Sequence, residues 1–591
     1  METPETQSVS DDIPDTFDPI EAGLLDQRGA SMLLEEFRNV CSWSFPFVII
    51  PEATNVDDLR HRRPFLFHAL MTTMTYKTPA IQRVLAEELR AQIASRIITH
   101  SHKTLEILQG LLVHAAWYHF FFRAYNQQLA IILQLCVAMI QDLGLSRNPK
   151  EKSRNLTLSE HHTGMPFKTQ RSADEKRAFL GTFYLVSAFA HAWRKRATMT
   201  HTKFMAQCCH SLAERHEVPT DGMITPLVQL GELMCRINEY YSYDDIENAE
   251  IRGELFLDMS TKSFRCELER MKDAIPEALQ QNTTLSLQFR LLDLWIHECS
   301  LHSFLWNSSD QKSPLQISQL RIKMLSHCVQ NIKGYLNTLL DCQQTALYPL
   351  AFPAWSGWFY AIIVVCKLVF LQDNERQGKT TMSSVPQELS SLLPGHFGPG
   401  APHDFCALPA EDQPTSPWDP VSVAKETQIR ELFEKFIDKL EFTFPYDAFE
   451  FATPDDATAE KEKEDRDPLF SIAWLQRSLL YGFSKKMKEY TTRTASKPTA
   501  NPVISPSSNP SLQPNPSFAP APAPAPSSSS QPGSYLLEQM RSHPIPLIQS
   551  LHFNTMNFDS VALPMAPMLQ EDAFDDWMWD SMMEDFSFPN L

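Results

Sequence analysis

Between Leu129 and Leu143 the apolar side chains return at three- and four-residue intervals: Leu129, Ile132, Leu133, Cys136, Met139, Ile140 and Leu143. At about 100° per residue this spacing lines one face of a helix and does not match the two-residue alternation of a half-buried strand. The same period recurs along the chain. Pro64 opens "PFLFHALMTTM", and Pro79 opens a run with Ile81, Val84, Leu85, Leu89, Ile93 and Ile97 on one side. "LEILQGLLVHAAWYHFF" follows from Thr104. Further on, Ser172 and Glu175 stand three apart as a capping box ahead of Phe179, Phe183, Val186, Ala190 and Trp193. Gly144 stands where a helix ends in a left-handed cap, a conformation that glycine adopts without a Cβ penalty. Long β-branched alternating runs are absent from the sequence. The pattern predicts an all-α body, a bundle or stack of antiparallel helices, over residues 28–490.

The 591 residues exceed one ordinary domain, and the composition divides them. Residues 1–27 are acidic and proline-spotted and read as a disordered N-terminus. Pro46 and Pro51 bracket "FVII", which reads as extended chain packed on the core. Residues 373–424 lose the helical period and form an irregular insertion. The period returns at "ETQIRELFEKFIDKLEF", and an acidic loop follows at residues 453–467. Residues 491–533 are a Pro/Ser/Ala-rich linker, which cannot build a core and stiffens toward an extended form. The apolar run Trp358–Leu371 falls short of the ~20 residues of a bilayer span and contains Lys367, so a buried helix is expected. The acidic N-terminus carries no apolar run of a secretory signal, and no CxxC occurs among the eleven cysteines. Together these features imply an intracellular protein with reduced thiols and no membrane association.

Charge and motifs narrow the chemistry. Fifty-two cationic against seventy-one anionic side chains leave a net charge of −19, unfavourable for gripping phosphates without a local basic module. "HECSL" at His297–Leu301 resembles a zinc-peptidase helix, but His302 is five residues after His297 rather than four, which puts the two on different faces. His114 and His119 share that spacing and read as core histidines. Glycines at Gly395–Gly400 have neither strand before nor helix after them, and no nucleophile elbow, Walker loop or kinase signature is present. The sequence therefore assigns no catalytic, cofactor-binding or metal-ligating residue, and no enzyme activity. Two short basic clusters, Arg60–Arg63 and Arg194–Arg196, read as charge facing water, with nuclear import or phosphate contact as the alternative.

The last segment, residues 534–591, has no lysine or arginine after Arg541. Its end, "EDAFDDWMWDSMMEDFSFPNL", mixes seven carboxylates with five aromatics and three methionines. Phe574, Met578, Met582 and Phe586 fall four apart and form a slowly precessing apolar stripe on a helix, with Trp577 at its border. Such a segment suits folding onto a partner's hydrophobic groove while its charges keep the apolar groups exposed. These five residues are the expected anchors.

The run "LQGLLVHAAWYHFFFRAYNQQLAIILQLCVAMIQDLGLSRNP", followed by "DEKRAFLGTFYLVSAFAHAW", resembles the middle homology region of fungal-specific transcription factors. Leu143, Gly144 and Leu145 match its leucine-glycine-leucine step, and "FPFVIIPEATNVDDLRHRRPFLFHALM" resembles what precedes the region. Within that family the resemblance is nearest to transcriptional activators of secreted proteases, and it covers roughly residues 28–370. It implies a nuclear transcriptional regulator, shuttling with the cytoplasm, whose tail engages a coactivator or the transcription machinery. The chain departs from the family in two ways. Phe179, Leu180 and Ser187 stand near positions where the family has tryptophan and aspartate. The binuclear zinc cluster needs six cysteines in a short basic segment, whereas Cys41 is the sole cysteine before Cys136. No zinc is therefore expected in this chain, and DNA would be read by a DNA-bound zinc-cluster partner, within a homodimer, or by a module encoded outside this sequence. A non-transcriptional scaffold or adaptor, and an enzyme with its site in the helical body, are the other readings.

Overall fold

The computed structural model describes residues 17–121, 128–148, 170–306, 317–371, 418–441 and 469–495. Among them every regular element is helical, as the apolar period requires. The first helices are α1 (Gln27–Asn39), α2 (Val56–Arg62), α3 (Pro64–Met74), α4 (Pro79–Ile93), α5 (Leu105–Ala116) and α6 (Leu129–Asp142). Next come α7 (Ala173–Ala192), α8 (Lys203–Arg215), α9 (Asp221–Tyr241), α10 (Glu254–Asp273) and α11 (Thr283–His297). The series ends with α12 (Gln319–Asp341), α13 (Phe352–Val369), α14 (Pro420–Thr427), α15 (Ile429–Glu441) and α16 (Phe470–Ala495).

Local chemistry sets most boundaries. Asp26, Asn55, Thr104, Thr202, Asn282 and Ser318 each accept a backbone N–H at the start of a helix, and Pro64 and Pro79 occupy first turns, where a missing N–H does no harm. The Ser172–Glu175 capping box is present in both directions, at 2.8 and 3.1 Å. Gly144 has φ +63°, and the N–H groups of Gly144 and Leu145 close on Gln141 and Ile140 at 3.0 and 2.9 Å. That is the paired closure of a left-handed helix end, with Leu145 buried beneath it.

Two helices form the centre. α7 packs against α5, α6, α8, α9 and α13, and α13 packs against α5, α7, α11, α12 and α14. A helix with neighbours all round has no polar face, and every residue of α13 is buried. By length and composition α13 could cross a membrane, yet it is the core of this body, as the sequence around Trp358–Leu371 suggested. The closeness of these contacts is visible at Gly181 of α7, where an added Cβ would lie 2.5 Å from Phe47 Cβ.

The ordered body extends further than the composition suggested. The Phe17 ring packs tilted against His68, centroids 4.9 Å apart, and Asp18 accepts from Arg60 at 2.6 Å, so Phe17–Asp26, assigned to a disordered acidic N-terminus, is part of the body. An aromatic ring and a partly buried ion pair anchor what composition alone read as free chain. The end of the proposed insertion is likewise docked: Trp418 is buried and donates Nε1–H to Leu368 O at 2.7 Å, two residues before α14 begins. Val84 faces solvent rather than joining the buried face of α4. The acidic loop at 453–467 lies outside the described residues.

Replacing Gly181 with alanine is expected to lower stability by about 1–3 kcal/mol, because the Phe47 main-chain region cannot yield as a flexible side-chain tip would. Urea unfolding of the purified chain followed by circular dichroism measures this; an unchanged midpoint contradicts the packing described.

Candidate functional site

α7 ends at Ala192, and the chain then turns through Arg194 with φ +50°. Arg194 N–H donates to His191 O at 3.3 Å and Lys195 N–H to Ala190 O at 2.8 Å, the same paired closure as at Gly144. Here the left-handed position carries arginine, at a cost of about 1–2 kcal/mol for the Cβ. The side chain shows what holds it. Arg194 Nη2 pairs with Oε1 of Glu298, whose side chain is completely buried. Glu298 begins the 3-10 turn that follows α11, and Arg321 of α12 holds that turn by donating to Ser300 O at 2.7 Å. Tyr360 of α13 donates its hydroxyl to Oε2 of Glu298, and His302 lies 3.0 Å from Oε1 through Nε2. The Arg194 guanidinium also stands over three rings, 4.5 Å from Trp295, 5.4 Å from Tyr243 and 5.6 Å from Tyr360.

These contacts decide the protonation states. Burial by itself would raise the Glu298 carboxyl, but the Arg194 charge, followed by His302 and Tyr360, outweighs it and holds the group down at about 2. Burial pushes His302 below its ordinary value despite Glu298, so it serves as a neutral ring donating Nε2–H. Burial, reinforced by Glu298, pushes the Tyr360 hydroxyl far up and keeps it a donor. His191, 4.0 Å from the Trp295 ring, is lowered to about 3 by burial and by Arg194, and is neutral.

Directly beside this cluster is a cleft of about 560 Å³, in the size range of small-molecule sites. His191 and Trp295 are shared by the cleft and the cluster. The residues that follow the Arg194 turn, Lys195 to Ala197, form one side of it, and α9 supplies Glu232, Met234 and Arg236. Two polar atoms of the shared residues, His191 Nε2 and Trp295 Nε1, are buried without a hydrogen-bond partner.

The structure redistributes the residues singled out in the sequence. Arg194 is not charge facing water: it is mostly buried because Glu298 requires it. Arg196 does face solvent, paired with Asp244 at 2.6 Å, and in the other cluster Arg62 is exposed while Arg60 is partly buried against Asp18. His297 and His302 diverge as their spacing predicted: His297 Nδ1 donates to Asp293 O at 2.7 Å, while His302 turns to Glu298. Among the described residues no three His, Cys, Asp or Glu side chains are grouped to hold a metal. Sequence reasoning missed Glu298 as the centre of a site, although a lone glutamate in the apolar run "LWIHECSLHSFLW" had to find a buried partner. Phe574, Trp577, Met578, Met582 and Phe586 lie outside the described residues.

Residues 3–371 match the family described as the WAR1 C-terminal domain. Among curated relatives, "Transcription factor himD" of Aspergillus japonicus is 28% identical over 311 residues, 52% of this chain and 50% of that protein. "Transcription factor opdL" of Penicillium oxalicum is 23% identical over 359 residues, 59% of this chain and 62% of that protein. "Weak acid resistance protein 1" of Saccharomyces cerevisiae is 24% identical over 184 residues, 30% of this chain and 19% of that protein. The chain thus spans less than two thirds of the length of these relatives. No solved structure matches.

Acid should destabilise the body in two windows. His114, His119 and His191 are held near 3 against an ordinary 6.5, so the unfolded chain takes protons first and stability falls as the pH drops below 6.5. Glu298, depressed from 4.5 to about 2, contributes stability that is present above 4.5 and is lost as the pH falls toward 2. Glu298→Gln leaves Arg194 buried without a counter-charge and should cost about 3–5 kcal/mol at pH 7. Its urea midpoint should fall less steeply than that of the native chain below pH 4.5; parallel profiles would refute the ionised carboxylate.

Proposed function

The chain belongs to the WAR1 C-terminal domain family, and from that membership we propose that it is a nuclear regulator of transcription rather than an enzyme. The observation that carries this reading is the match over residues 3–371, which contains the central helices α7 and α13 together with the Arg194–Glu298 cluster. Relatives named as transcription factors support it, and so does a tail that combines acidic, aromatic and methionine side chains after a proline-rich linker. In this reading the helical body regulates, residues 491–533 are a spacer, and residues 534–591 activate. Phe574, Trp577, Met578, Met582 and Phe586 anchor the tail in a coactivator groove, and the surrounding carboxylates steer it toward a basic rim. With a net charge of −19 and no six clustered cysteines in these residues, the element that reads the promoter is a DNA-bound zinc-cluster partner, a second copy within a larger assembly, or a module encoded outside this sequence. Secreted-protease genes and a secondary-metabolite cluster are the gene sets we propose as targets.

Fusing residues 534–591 to a heterologous DNA-binding domain should activate a reporter. Phe574→Ala with Met578→Ala should reduce that activation at least tenfold, and in the full chain the same pair should leave the helical signal of the body unchanged. A silent fusion favours a scaffold or adaptor. Full activation by the double variant removes these two residues from the anchor set.

A further inference from the structure

The last described helix, α16, has two unlike sides. Ile472, Gln476, Leu479 and Phe483 are buried, and the Phe483 ring meets Phe370, just past α13, and Phe433 of α15, with centroids 5.7 and 6.3 Å apart. At about 100° per residue the opposite side carries Trp474, Arg477, Tyr481, Lys485 and Lys488. Tyr481 is 42% exposed, Lys488 is exposed, and the other three are partly exposed. This outer stripe therefore sets two aromatic rings among three cations and includes no carboxylate. Across the whole of α16 five cations stand against Glu489 alone, in a chain whose net charge is −19.

A stripe of this kind selects its complement by charge and shape: an acidic segment with apolar side chains at helical spacing. The end of the same chain has that composition. Residues 571–591 hold seven carboxylates and no cation, and Phe574, Met578, Met582 and Phe586 fall four apart. On a helix that row spans about 18 Å, against about 21 Å from Trp474 to Lys488. The other acidic stretch, residues 453–467, fits less well: Lys461, Lys463 and Arg466 interrupt its acids, and it has no aromatic or methionine side chain. Reach is no obstacle. Between Ala495 and Phe574 lie 78 residues, and a flexible chain of that length spans about 50 Å, more than the ~39 Å length of α16 itself.

We propose that residues 571–591 dock on the outer stripe of α16 in the same chain, with the phenylalanine and methionine row on the Trp474 and Tyr481 rings and the carboxylates toward Arg477, Lys485 and Lys488. Phenyl and thioether groups pack favourably on aromatic rings, and tethering makes the encounter intramolecular, so weak surface ion pairs are enough to hold the segment. In the docked state the anchors of the tail are covered by the body, and α16 and a coactivator compete for one segment. The inference rests on reading the tail as a partner-binding segment. Docking is measured on the purified chain without a coactivator, and the reporter fusion of residues 534–591 contains no α16, so the two can fail separately.

The probe is a fluorescein-labelled synthetic peptide of residues 571–591, followed by fluorescence anisotropy. The full chain carrying Phe574→Ala and Met578→Ala, whose own tail no longer competes, should bind it saturably. The native chain should bind it at least tenfold more weakly, because the tethered tail holds the stripe. Adding Arg477→Glu, Lys485→Glu and Lys488→Glu to the double variant should weaken binding at least tenfold. Adding Tyr481→Ala alone should weaken it severalfold and serves where the charge reversals disturb folding, which the helical signal reports. Unlabelled peptide 571–591 should displace the probe, and a peptide of residues 453–467 should not. Absence of saturable binding by the double variant at about 0.2 mM protein overturns the proposal. So does equal binding by the native chain, unchanged affinity in a folded stripe variant, or displacement by the 453–467 peptide.

Discussion

A carboxylate with no solvent contact cannot stay ionised without compensation, and Glu298 obtains it from three separate parts of the chain. Arg194 comes from the turn after α7, Tyr360 from α13 and His302 from the loop that leaves Glu298 itself. Each partner is held elsewhere by packing, so the ion pair locks the relative positions of α7, α11 and α13. The consequence is visible in the backbone: Arg194 tolerates a left-handed conformation at a helix end where Gly144 does the same task without strain. A second pair acts alike between α7 and α9. Arg177 grips Asp221 through two bonds of 2.8 and 2.9 Å, both side chains being almost wholly buried.

Burial of this extent follows from the arrangement around α7 and α13. When a helix is surrounded, its sequence carries no solvent-facing stripe, and the polar groups it contains must be satisfied inside. Thr182 and Ser187 of α7 return their hydroxyls to carbonyls one turn earlier, at 2.8 Å each. Tyr335 of α12 reaches Ala354 O at 2.6 Å. Not every one is: the indole N–H groups of Trp355 and Trp358 in α13 and of Trp295 in α11, and Nε2 of His191, are buried without a hydrogen-bond partner.

Much of the fold was legible. The 3.6-residue period of Leu129–Leu143, the Ser172–Glu175 box and the Gly144 cap are local signals, and local geometry answers them directly. The divergence of His297 and His302 was legible for the same reason. What failed to show were partnerships between residues far apart in the chain. Arg194 and Glu298 are separated by 104 positions, and an arginine in "RKR" looks like surface charge until its partner is known. Phe17 and Asp18 were hidden by an acidic, proline-spotted composition that says nothing about His68 and Arg60.

The sequence by itself determined that the described chain is helical, where its helices start and stop, and that a proline-rich stretch separates the body from an acidic aromatic tail. These properties depend on neighbours within a few residues, so the order of amino acids carries them. Tertiary structure alone decided which charges are buried, which rings enclose them, and that a cleft opens beside His191 and Trp295. Such features depend on how helices pack across hundreds of residues, and a carboxylate becomes a structural centre only when the fold removes its water and supplies an arginine in its place.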